Sequence, residues 1–438
     1  MTFDNSVIFP ITSTITNEDH LSIGGCDVTS LSAKFGTPLY IFDEFTLRNT
    51  CREFVHEFTS RYPKTKVLYA SKAYINPALA TLIHEENLGM DVVSGGELAI
   101  AMASGFPLSE VYFHGNNKGK DELEMGLDNQ IGRIVIDSFY ELDLLNKLAK
   151  ERGKTQDVML RLSPSIDPHT HEKTTTGILD SKFGFSIETG DAESAIKRAL
   201  VASNLDLVGI HFHLGSPIFE LEPYSIAIDT VLTFLSQFKQ AGLDLREFSP
   251  GGGFAIGYLH NQLPPPIASY AEVITKALKT RASDLSFGEP MLTIEPGRSI
   301  VGRAGVAVYT VGGIKNIPTV RKYVSLDGGM GDNIRPALYD SKYEAVVANR
   351  MSEKSSDNVT LAGKYCESGD VLIRDINMPI LETGDLVAIP ASGAYAPSMA
   401  SNYNLNPRPA VIMVGDGVAR LIRRRETYAD MMALDVIG

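Results

Sequence analysis

The sequence predicts an α/β protein, a closed TIM-like (β/α)8 barrel plus a C-terminal antiparallel β-domain, and three observations lead to this prediction. Eight short apolar runs recur between residues 66 and 295, and each ends in a polar or glycine-rich loop. Amphipathic helical segments separate the runs, with apolar residues three and four positions apart. After about residue 300 the helical periodicity is replaced by alternating apolar runs and turn signals, which are typical of antiparallel sheets.

The predicted barrel strands follow one another along the chain, and eight strands joined by helices favour a closed barrel over an open sheet. They are KVLYA (66–70), MDVVS (90–94), VYFHG (111–115), RIVID (133–137), VMLRL (158–162), LVGIHF (207–212), LREFS (245–249) and MLTIE (291–295). The predicted helices include PALATLIHEENL, GGELAIAMASG, YELDLLNKLAKERG, DAESAIKRALVAS and VLTFLSQFKQAG. We assign residues 42–303 to the barrel, and residues 1–41 together with 304–438 to the β-domain.

The composition excludes several classes of protein. The 438 residues carry 40 Lys+Arg against 53 Asp+Glu, and the net charge of −13 disfavours non-specific nucleic-acid binding. No apolar run reaches the roughly 20 residues that span a bilayer, and the N-terminus lacks the basic flank and apolar core of a secretory signal. Three cysteines without a CxxC pair argue against a disulfide framework. We therefore expect a cytoplasmic protein without membrane or nucleic-acid partners.

Lys72 follows the first predicted strand, in "KVLYASKAYI". Active sites of this fold are built from the loops at the C-terminal ends of the strands. A lysine in this position is either an ordinary surface residue or a partly desolvated amine, and desolvation makes an amine nucleophilic. The loops after the other strands decide between the two.

Two further strand ends carry residues that could bind a ligand. The sixth strand ends in "HFHLGS", where His211 and His213 share one face; they could form a metal pair, but no third ligand at zinc-like spacing is visible, so we predict no metal. A neutral imidazole could instead lie flat against an aromatic ligand. The seventh strand is followed by Gly251, Gly252 and Gly253, which form either a simple turn or a cradle whose backbone N–H groups bind a phosphate.

Glu295 ends the eighth strand in "TIEPGR", where it is either one half of a strand-end ion pair or a ligand-binding carboxylate. Together, Lys72, the three glycines and Glu295 match the needs of pyridoxal 5'-phosphate: an amine, phosphate donors and a partner for the pyridine nitrogen. A carboxylate there keeps the nitrogen protonated and makes the ring a strong electron sink. This favours decarboxylation over racemisation.

Along nearly its whole length the sequence resembles the diaminopimelate decarboxylases, within the fold type III PLP-dependent decarboxylases, which are related to ornithine/arginine decarboxylases and alanine racemase. The resemblance is carried by the order and spacing of many short motifs. They are GTPLYIFDE, YASKA, DVVSGGEL, HGNNK, DPHTHEKTTTGILDSKFGF, HFHLGS, GGGF, EPGR, LDGGMGDNIRPALY, CESGD and GAYAPSMASNYN.

The resemblance implies a role for each matching residue of the cofactor site. Lys72 would bind pyridoxal phosphate covalently, His213 would stack on its ring and Glu295 would contact its nitrogen. Tyr395 would reach both cofactor and substrate. The phosphate would be held by Ser216, Gly253, Gly297 and Arg298.

The same resemblance implies a substrate site and a homodimer. Arg298, Arg335 and Tyr339 would hold the substrate carboxylate at its non-reacting end. Glu367 would take the distal ammonium, and Cys366 would donate a proton to the reacting carbon. Both would come from the second subunit, so the active sites would be shared. Taken without the motif, Cys366 would be an ordinary buried thiol, and Arg335 and Tyr339 a helix-surface pair.

The charges at the far end of the substrate favour meso-2,6-diaminopimelate, which would yield L-lysine and CO2 in the last step of lysine biosynthesis. Arginines match its distal carboxylate and Glu367 matches its ammonium, whereas ornithine or lysine would leave buried arginines without an anion. Two alternatives stay open: a related decarboxylase acting on another diamino or citryl-amino acid, and a catalytically silent homologue that binds the cofactor. "DPHTHEKTTTG" is the predicted mobile loop over the substrate.

Overall fold

The computed structural model describes residues 7–167 and 181–436, so most of the predicted mobile loop lies outside the described residues. The chain divides into two compact units, one formed by residues 51–255 and 264–297 and the other by residues 1–50, 256–263 and 298–438. The barrel limits that we assigned from the sequence, residues 42 and 303, stay a prediction. Within the described ranges, no helix is long and apolar enough to cross a membrane.

The first unit is an eight-stranded parallel barrel, so the predicted fold class is confirmed. Its strands are Thr65–Ala70, Gly89–Val92, Val111–Phe113, Arg133–Ile136, Gln156–Ser163, Leu205–His211, Glu247–Gly251 and Met291–Ile294. The barrel closes because the eighth strand pairs with the first, where Ile294 lies opposite Val67. A short additional strand, Phe185–Ser186, pairs with the C-terminal end of the fifth strand. The packed interior includes Leu68, Tyr112, Val135, Met159 and Val208.

Helices alternate with the barrel strands, as the periodicity predicts. They are Pro77–Glu85, Gly95–Ala103, Lys120–Asp128, Phe139–Glu151, Asp191–Val201, Glu222–Leu235 and Ile267–Asp284. Several begin at a side-chain cap; Ser94, for example, accepts a hydrogen bond from the Glu97 amide. The helix predicted over 231–242 ends earlier: Leu235 is its last residue, and a 3-10 turn, Ser236–Ala241, continues to Gly242.

The second unit is built on a mixed β-sheet. Its strands are, in sheet order, Val371–Met378, Asp357–Ala362, Arg321–Leu326, Gly305–Ile317, Leu39–Asp43, Ala410–Gly415 and Val418–Arg423. Leu386–Ile389 also pairs with the long strand Gly305–Ile317, and Val346–Val347 pairs in turn with Leu386–Ile389. A three-stranded sheet contains Thr14–Ile15, Leu21–Ile23 and Cys26–Asp27.

The alternating pattern predicts an antiparallel sheet here, and two pairings differ. Arg321–Leu326 runs parallel to Asp357–Ala362, and Ala410–Gly415 runs parallel to Leu39–Asp43. Both pairings join segments far apart in the chain, where no tight hairpin dictates the strand direction. Alternation shows that one face of a strand is buried, but it does not show which way the neighbouring strand runs.

The remaining helical segments are short apart from one. They are Val28–Phe35, Glu44–Thr59, Arg298–Val301, Arg335–Tyr339 and Tyr428–Met432, together with the 3-10 turns Ser71–Ala73, Leu108–Glu110 and Tyr403–Leu405. Three of these segments begin at or contain a residue of the predicted site: Ser71–Ala73, Arg298–Val301 and Arg335–Tyr339.

Candidate active site

Lys72 lies in the middle of the 3-10 turn that ends the first barrel strand. The turn is held on both sides: the Ala70 amide donates to the Pro296 carbonyl at 3.0 Å, and the Ser71 hydroxyl donates to the Asp91 carbonyl at 2.6 Å. The Lys72 ammonium is 3.1 Å from the Asp91 carboxylate, and the two side chains are 39% and 0% exposed. Lys72 is therefore not a freely solvated surface lysine.

Asp91 is a site residue that the sequence reasoning missed. It is the one charged residue of the second strand, Gly89–Val92, and its side chain is fully buried. Burial raises the pKa of this carboxyl above its usual range, although the Lys72 ammonium opposes the rise. A single acid within an apolar run was the signal available in the sequence.

Glu295 follows the eighth strand and is buried. Its carboxylate accepts a hydrogen bond from the Ser249 hydroxyl at 2.8 Å and lies 3.1 Å from Nε2 of His211. Burial opposes its ionisation, but His211, which shares a hydrogen bond with it, and the Lys72 ammonium hold the pKa of Glu295 well below its usual range. The site thus contains a buried carboxylate that stays charged.

Two imidazoles around this carboxylate are neutral. Burial lowers the pKa of His213 well below its usual value, and the Lys72 charge adds to the effect. Burial likewise lowers the pKa of His114, which lies 3.6 Å from Glu295. Nδ1 of His213 accepts a hydrogen bond from the Gly252 amide at 3.3 Å, so the proton of the neutral ring sits on Nε2.

These side chains surround one cavity of about 330 Å³ at the C-terminal ends of the barrel strands. This is within the size range of small-molecule sites. The sequence reasoning identified three of the residues that line it, Lys72, His213 and Glu295, and treated His211 as one half of a possible pair. It missed His114 and Arg161, each a single polar residue in or just after an apolar strand. The lining is completed by Val93, Gly115, Asn116 and Phe183.

The three consecutive glycines lie beside this cavity, and their own packing requires them. Gly251 and Gly253 have φ angles of +76° and +103°, which favour glycine. A Cβ on Gly252 would be 2.2 Å from the Glu295 carbonyl oxygen, and one on Gly253 would be 2.6 Å from that of Gly215. The residue after Gly215 is Ser216, so this predicted phosphate ligand stands next to the glycine loop. A phosphate cradle stays a prediction.

His114, His211 and Glu295 also form an arrangement that could hold a metal ion, because one ligand-type atom from each lies within 4.8 Å of the others. The hydrogen bond from His211 and the charge of Glu295 account for the same proximity without an ion. The prediction that the site uses no metal stays a prediction.

The second unit contains a cluster of arginine and tyrosine, which we call the Arg335 pocket: the buried Tyr258, Arg298, Arg335 and Tyr343, and the half-buried Tyr395. The Arg335 guanidinium donates to the Tyr343 hydroxyl and lies 4.6 Å from the centre of the Tyr258 ring. Arg298 donates to the Tyr258 hydroxyl and lies 4.8 Å from the centre of the Tyr395 ring. Sequence reasoning missed Tyr258 and Tyr343, which no motif distinguishes.

The electrostatics of the Arg335 pocket favour an anion. Both guanidinium groups are buried, and they hold the pKa of Tyr258 below its usual value although burial opposes this. Within residues 7–167 and 181–436, no carboxylate forms an ion pair with Arg335. A buried cation without an anionic partner is unfavourable. The pocket is therefore suited to a ligand that brings its own negative charge.

The other predicted substrate residues, Tyr339, Cys366 and Glu367, are more exposed than the two arginines. Tyr339 ends the short helix that Arg335 begins, and it is half-buried. Cys366 and Glu367 are exposed and lie on the loop between the strands Asp357–Ala362 and Val371–Met378. The Cys366 amide donates to the Asn404 side chain at 2.8 Å. Gly297, a predicted phosphate-binding residue, packs against the end of the first barrel strand, since a Cβ there would be 2.9 Å from the Ala70 carbonyl oxygen.

The residues of the barrel cavity fit pyridoxal phosphate. Lys72 offers an amine, Glu295 a buried carboxylate that stays ionised, and His213 a neutral ring that can lie against an aromatic ligand. The three occur together around one cavity at the strand ends where ligands of this fold bind.

Comparisons with known proteins agree with this fit. The family model for the pyridoxal binding domain of pyridoxal-dependent decarboxylases matches residues 47–302. A diaminopimelate decarboxylase of Bacillus subtilis (strain 168) is 47% identical over 426 residues, which cover 97% of each chain. One from Mycobacterium tuberculosis (strain CDC 1551 / Oshkosh) is 39% identical and covers 98% of each chain.

A solved structure supports the same assignment over the whole length. The diaminopimelate decarboxylase of M. jannaschii, in co-complex with L-lysine, is 36% identical and superposes with a TM-score of 0.92, covering 100% of this chain and 99% of that chain. This chain therefore belongs to the pyridoxal-dependent decarboxylases and, within them, to the diaminopimelate decarboxylase family.

Proposed function

We propose that this chain decarboxylates meso-2,6-diaminopimelate to L-lysine and CO2, the last step of lysine biosynthesis. The observation that carries the substrate choice is the Arg335 pocket, where a buried guanidinium has neutral hydroxyl and aromatic neighbours. A substrate with a second carboxylate supplies the missing anion. Lysine and ornithine lack that carboxylate, so each would leave the guanidinium buried without a counter-charge.

Four residues in or beside the barrel cavity then have a defined task. When bound, pyridoxal phosphate supplies an electron sink for the pair left on the substrate carbon as its bond to the carboxylate breaks. Lys72 would supply the amine that attaches the cofactor, and Asp91 would hold that amine in place. Glu295 would contact the pyridine nitrogen, and the neutral His213 would lie against the ring. Phosphate donors would come from the glycine loop, Ser216 and the Gly297–Arg298 turn.

The remaining roles concern the substrate and the assembly. Arg298, Arg335 and Tyr339 hold the distal carboxylate, Glu367 holds the distal ammonium, and Tyr395 contacts both cofactor and substrate. The Cys366 thiol protonates the carbon that has lost CO2. Because Cys366 and Glu367 are exposed on this chain, we propose a cytoplasmic homodimer in which these two residues complete the partner's site.

Release of CO2 from three substrates tests this function. Purified protein loaded with pyridoxal phosphate is mixed separately with meso-diaminopimelate, L-lysine and L-ornithine, and we expect release from meso-diaminopimelate alone. Release from lysine or ornithine would contradict the charge match. No release from any of them, with a cofactor absorbance band that depends on Lys72, would leave a silent cofactor-binding homologue.

Replacing Arg335 by methionine should raise KM for meso-diaminopimelate and leave kcat nearly unchanged, because the far end of the substrate does not change charge during the reaction. We expect a loss in kcat/KM of about 30- to 1,000-fold, which corresponds to ~2–4 kcal/mol for removing one partner of a buried charge pair. Methionine fits among the tyrosine rings and leaves no opposing charge unpaired.

Steady-state kinetics on Arg335→Met and Arg335→Lys check this prediction, with urea unfolding to confirm that each variant is folded. The lysine variant keeps the positive charge but loses the planar guanidinium, so its KM should lie between those of the wild type and Arg335→Met. An unchanged KM in Arg335→Met would show that the distal carboxylate binds elsewhere.

A further inference from the structure

Lys118 has a buried ammonium that the proposed chemistry does not use. It belongs to the "HGNNK" segment after the third barrel strand, and its side chain is only 1% exposed. The ammonium donates to the Gly115 carbonyl at 3.0 Å and to the Val135 carbonyl at 2.8 Å, and it forms an ion pair with Glu141 at 2.8 Å. The buried ammonium thus has two carbonyl acceptors and one carboxylate counter-charge.

The three partners lie on three different elements. Gly115 is in the loop after the third strand, Val135 is in the fourth strand, and Glu141 is in the helix Phe139–Glu151 that follows. Glu141 in turn accepts a hydrogen bond from the Asp137 amide at 3.3 Å, where the fourth strand has just ended. Lys118 therefore connects the ends of two neighbouring strands and the helix behind them.

Stability alone does not explain this pair. Removing two charges from water is costly, and a buried ion pair can often be replaced by apolar residues without loss of stability. Lys118 and Glu141 are both only 1% exposed, so their burial requires an explanation other than stability. We find that explanation in the segment that Lys118 holds.

That segment is a wall of the cofactor cavity. His114, Gly115 and Asn116 all line it, and Nε2 of His114 lies 3.6 Å from Glu295. Gly115 has a φ of +117°, and a Cβ there would be 3.2 Å from the Val93 carbonyl oxygen, so its backbone fits tightly against the second strand end. Asp137, whose amide donates to Glu141, has its carboxylate 3.8 Å from the guanidinium of Arg161, which also lines the cavity.

We propose that Lys118 and Glu141 are positioning residues of the cofactor site: the buried pair fixes the His114–Asn116 wall and, through His114, the orientation of Glu295 at the pyridine nitrogen. The inference rests on the proposed function in one respect, the assignment of Glu295 to the cofactor. It does not depend on which amino acid is decarboxylated. Neither residue touches the cavity, so both act through the segment they hold.

The test compares this pair with a second ion pair of the same barrel. The double variant Lys118→Met/Glu141→Gln removes both charges and leaves no buried ion unpaired. The matched control is Arg133→Met/Glu247→Gln, which removes an ion pair at the opposite ends of the strands: Arg133 and Glu247 are the first residues of the fourth and seventh strands. Urea unfolding of both holoenzymes measures the general loss of stability.

Two readouts besides activity separate positioning from stability. Equilibrium dialysis should show that Lys118→Met/Glu141→Gln binds pyridoxal phosphate roughly 10- to 100-fold more weakly, by analogy with the loss on removing partners that orient a metal ligand. The visible circular dichroism of the bound cofactor should also change, because its ring and Glu295 lose their fixed geometry. The control should keep both the affinity and the spectrum.

The proposal is overturned if the double variant retains the wild-type affinity and spectrum, or if the control changes both to the same extent. Should the double variant fail to fold, Lys118→Arg replaces it. This variant keeps the charge, but its planar guanidinium cannot reproduce the two hydrogen bonds to Gly115 and Val135 together with the ion pair to Glu141, so the affinity should again fall. These outcomes are distinct from failure of the proposed function, in which the wild-type protein binds the cofactor normally but releases no CO2 from meso-diaminopimelate.

Discussion

Lys72→Ala should lower kcat for CO2 release by at least about 1,000-fold, since the variant lacks the amine to which we propose the cofactor is attached. The visible absorbance band of the attached cofactor should disappear as well. The fold should survive: Asp91 loses its cation, but its pKa is already raised by burial, so the carboxyl can take up a proton instead of remaining as an unpaired ion.

Absorbance spectra and single-turnover CO2 release on the variant check this expectation. Lys66→Ala is the matched control, because Lys66 belongs to the same strand but pairs with Glu110 at the other end. It should keep the absorbance band and the activity. A Lys72→Ala protein that retained the wild-type band would show that another amine attaches the cofactor.

Glu295→Gln should lower kcat by roughly 100- to 1,000-fold, the effect of removing one preorganised electrostatic contact at the site where charge develops. Glutamine has nearly the same shape and can still accept the hydrogen bond from Ser249, so the loss comes from the charge. In the role that we propose, the Glu295 carboxylate keeps the pyridine nitrogen protonated, so its removal should make the ring a weaker electron sink.

Kinetics and a pH titration of the cofactor absorbance distinguish this role from a structural one. Ser249→Ala is the control: it removes one hydrogen bond to Glu295 and leaves the charge, which corresponds to about 1 kcal/mol or a tenfold effect at most. A Glu295→Gln variant with wild-type kcat and an unchanged titration would place the ring nitrogen away from this residue.

The sequence by itself determined the barrel and the residues at its strand ends. Apolar runs and helical periodicity are local signals, and each lies within about a dozen neighbouring residues. In a parallel barrel the ends of all strands meet at one face, so a residue that follows a strand can be assigned to that face without knowing its neighbours. Lys72, His213 and Glu295 were predicted together for this reason, and the structure places them around one cavity.

Only the tertiary structure decided which side chains complete these sites. Asp91, His114 and Arg161 are polar residues in or beside apolar runs. Whether their side chains take part in the site depends on which strands become neighbours. The Arg335 pocket draws Tyr258, Arg298, Tyr343 and Tyr395 from four separate segments, and the mixed sheet pairs strands far apart in the chain. Contacts of this kind arise from long-range packing, and hydrophobic periodicity, which reports only burial along one segment, contains no information about them.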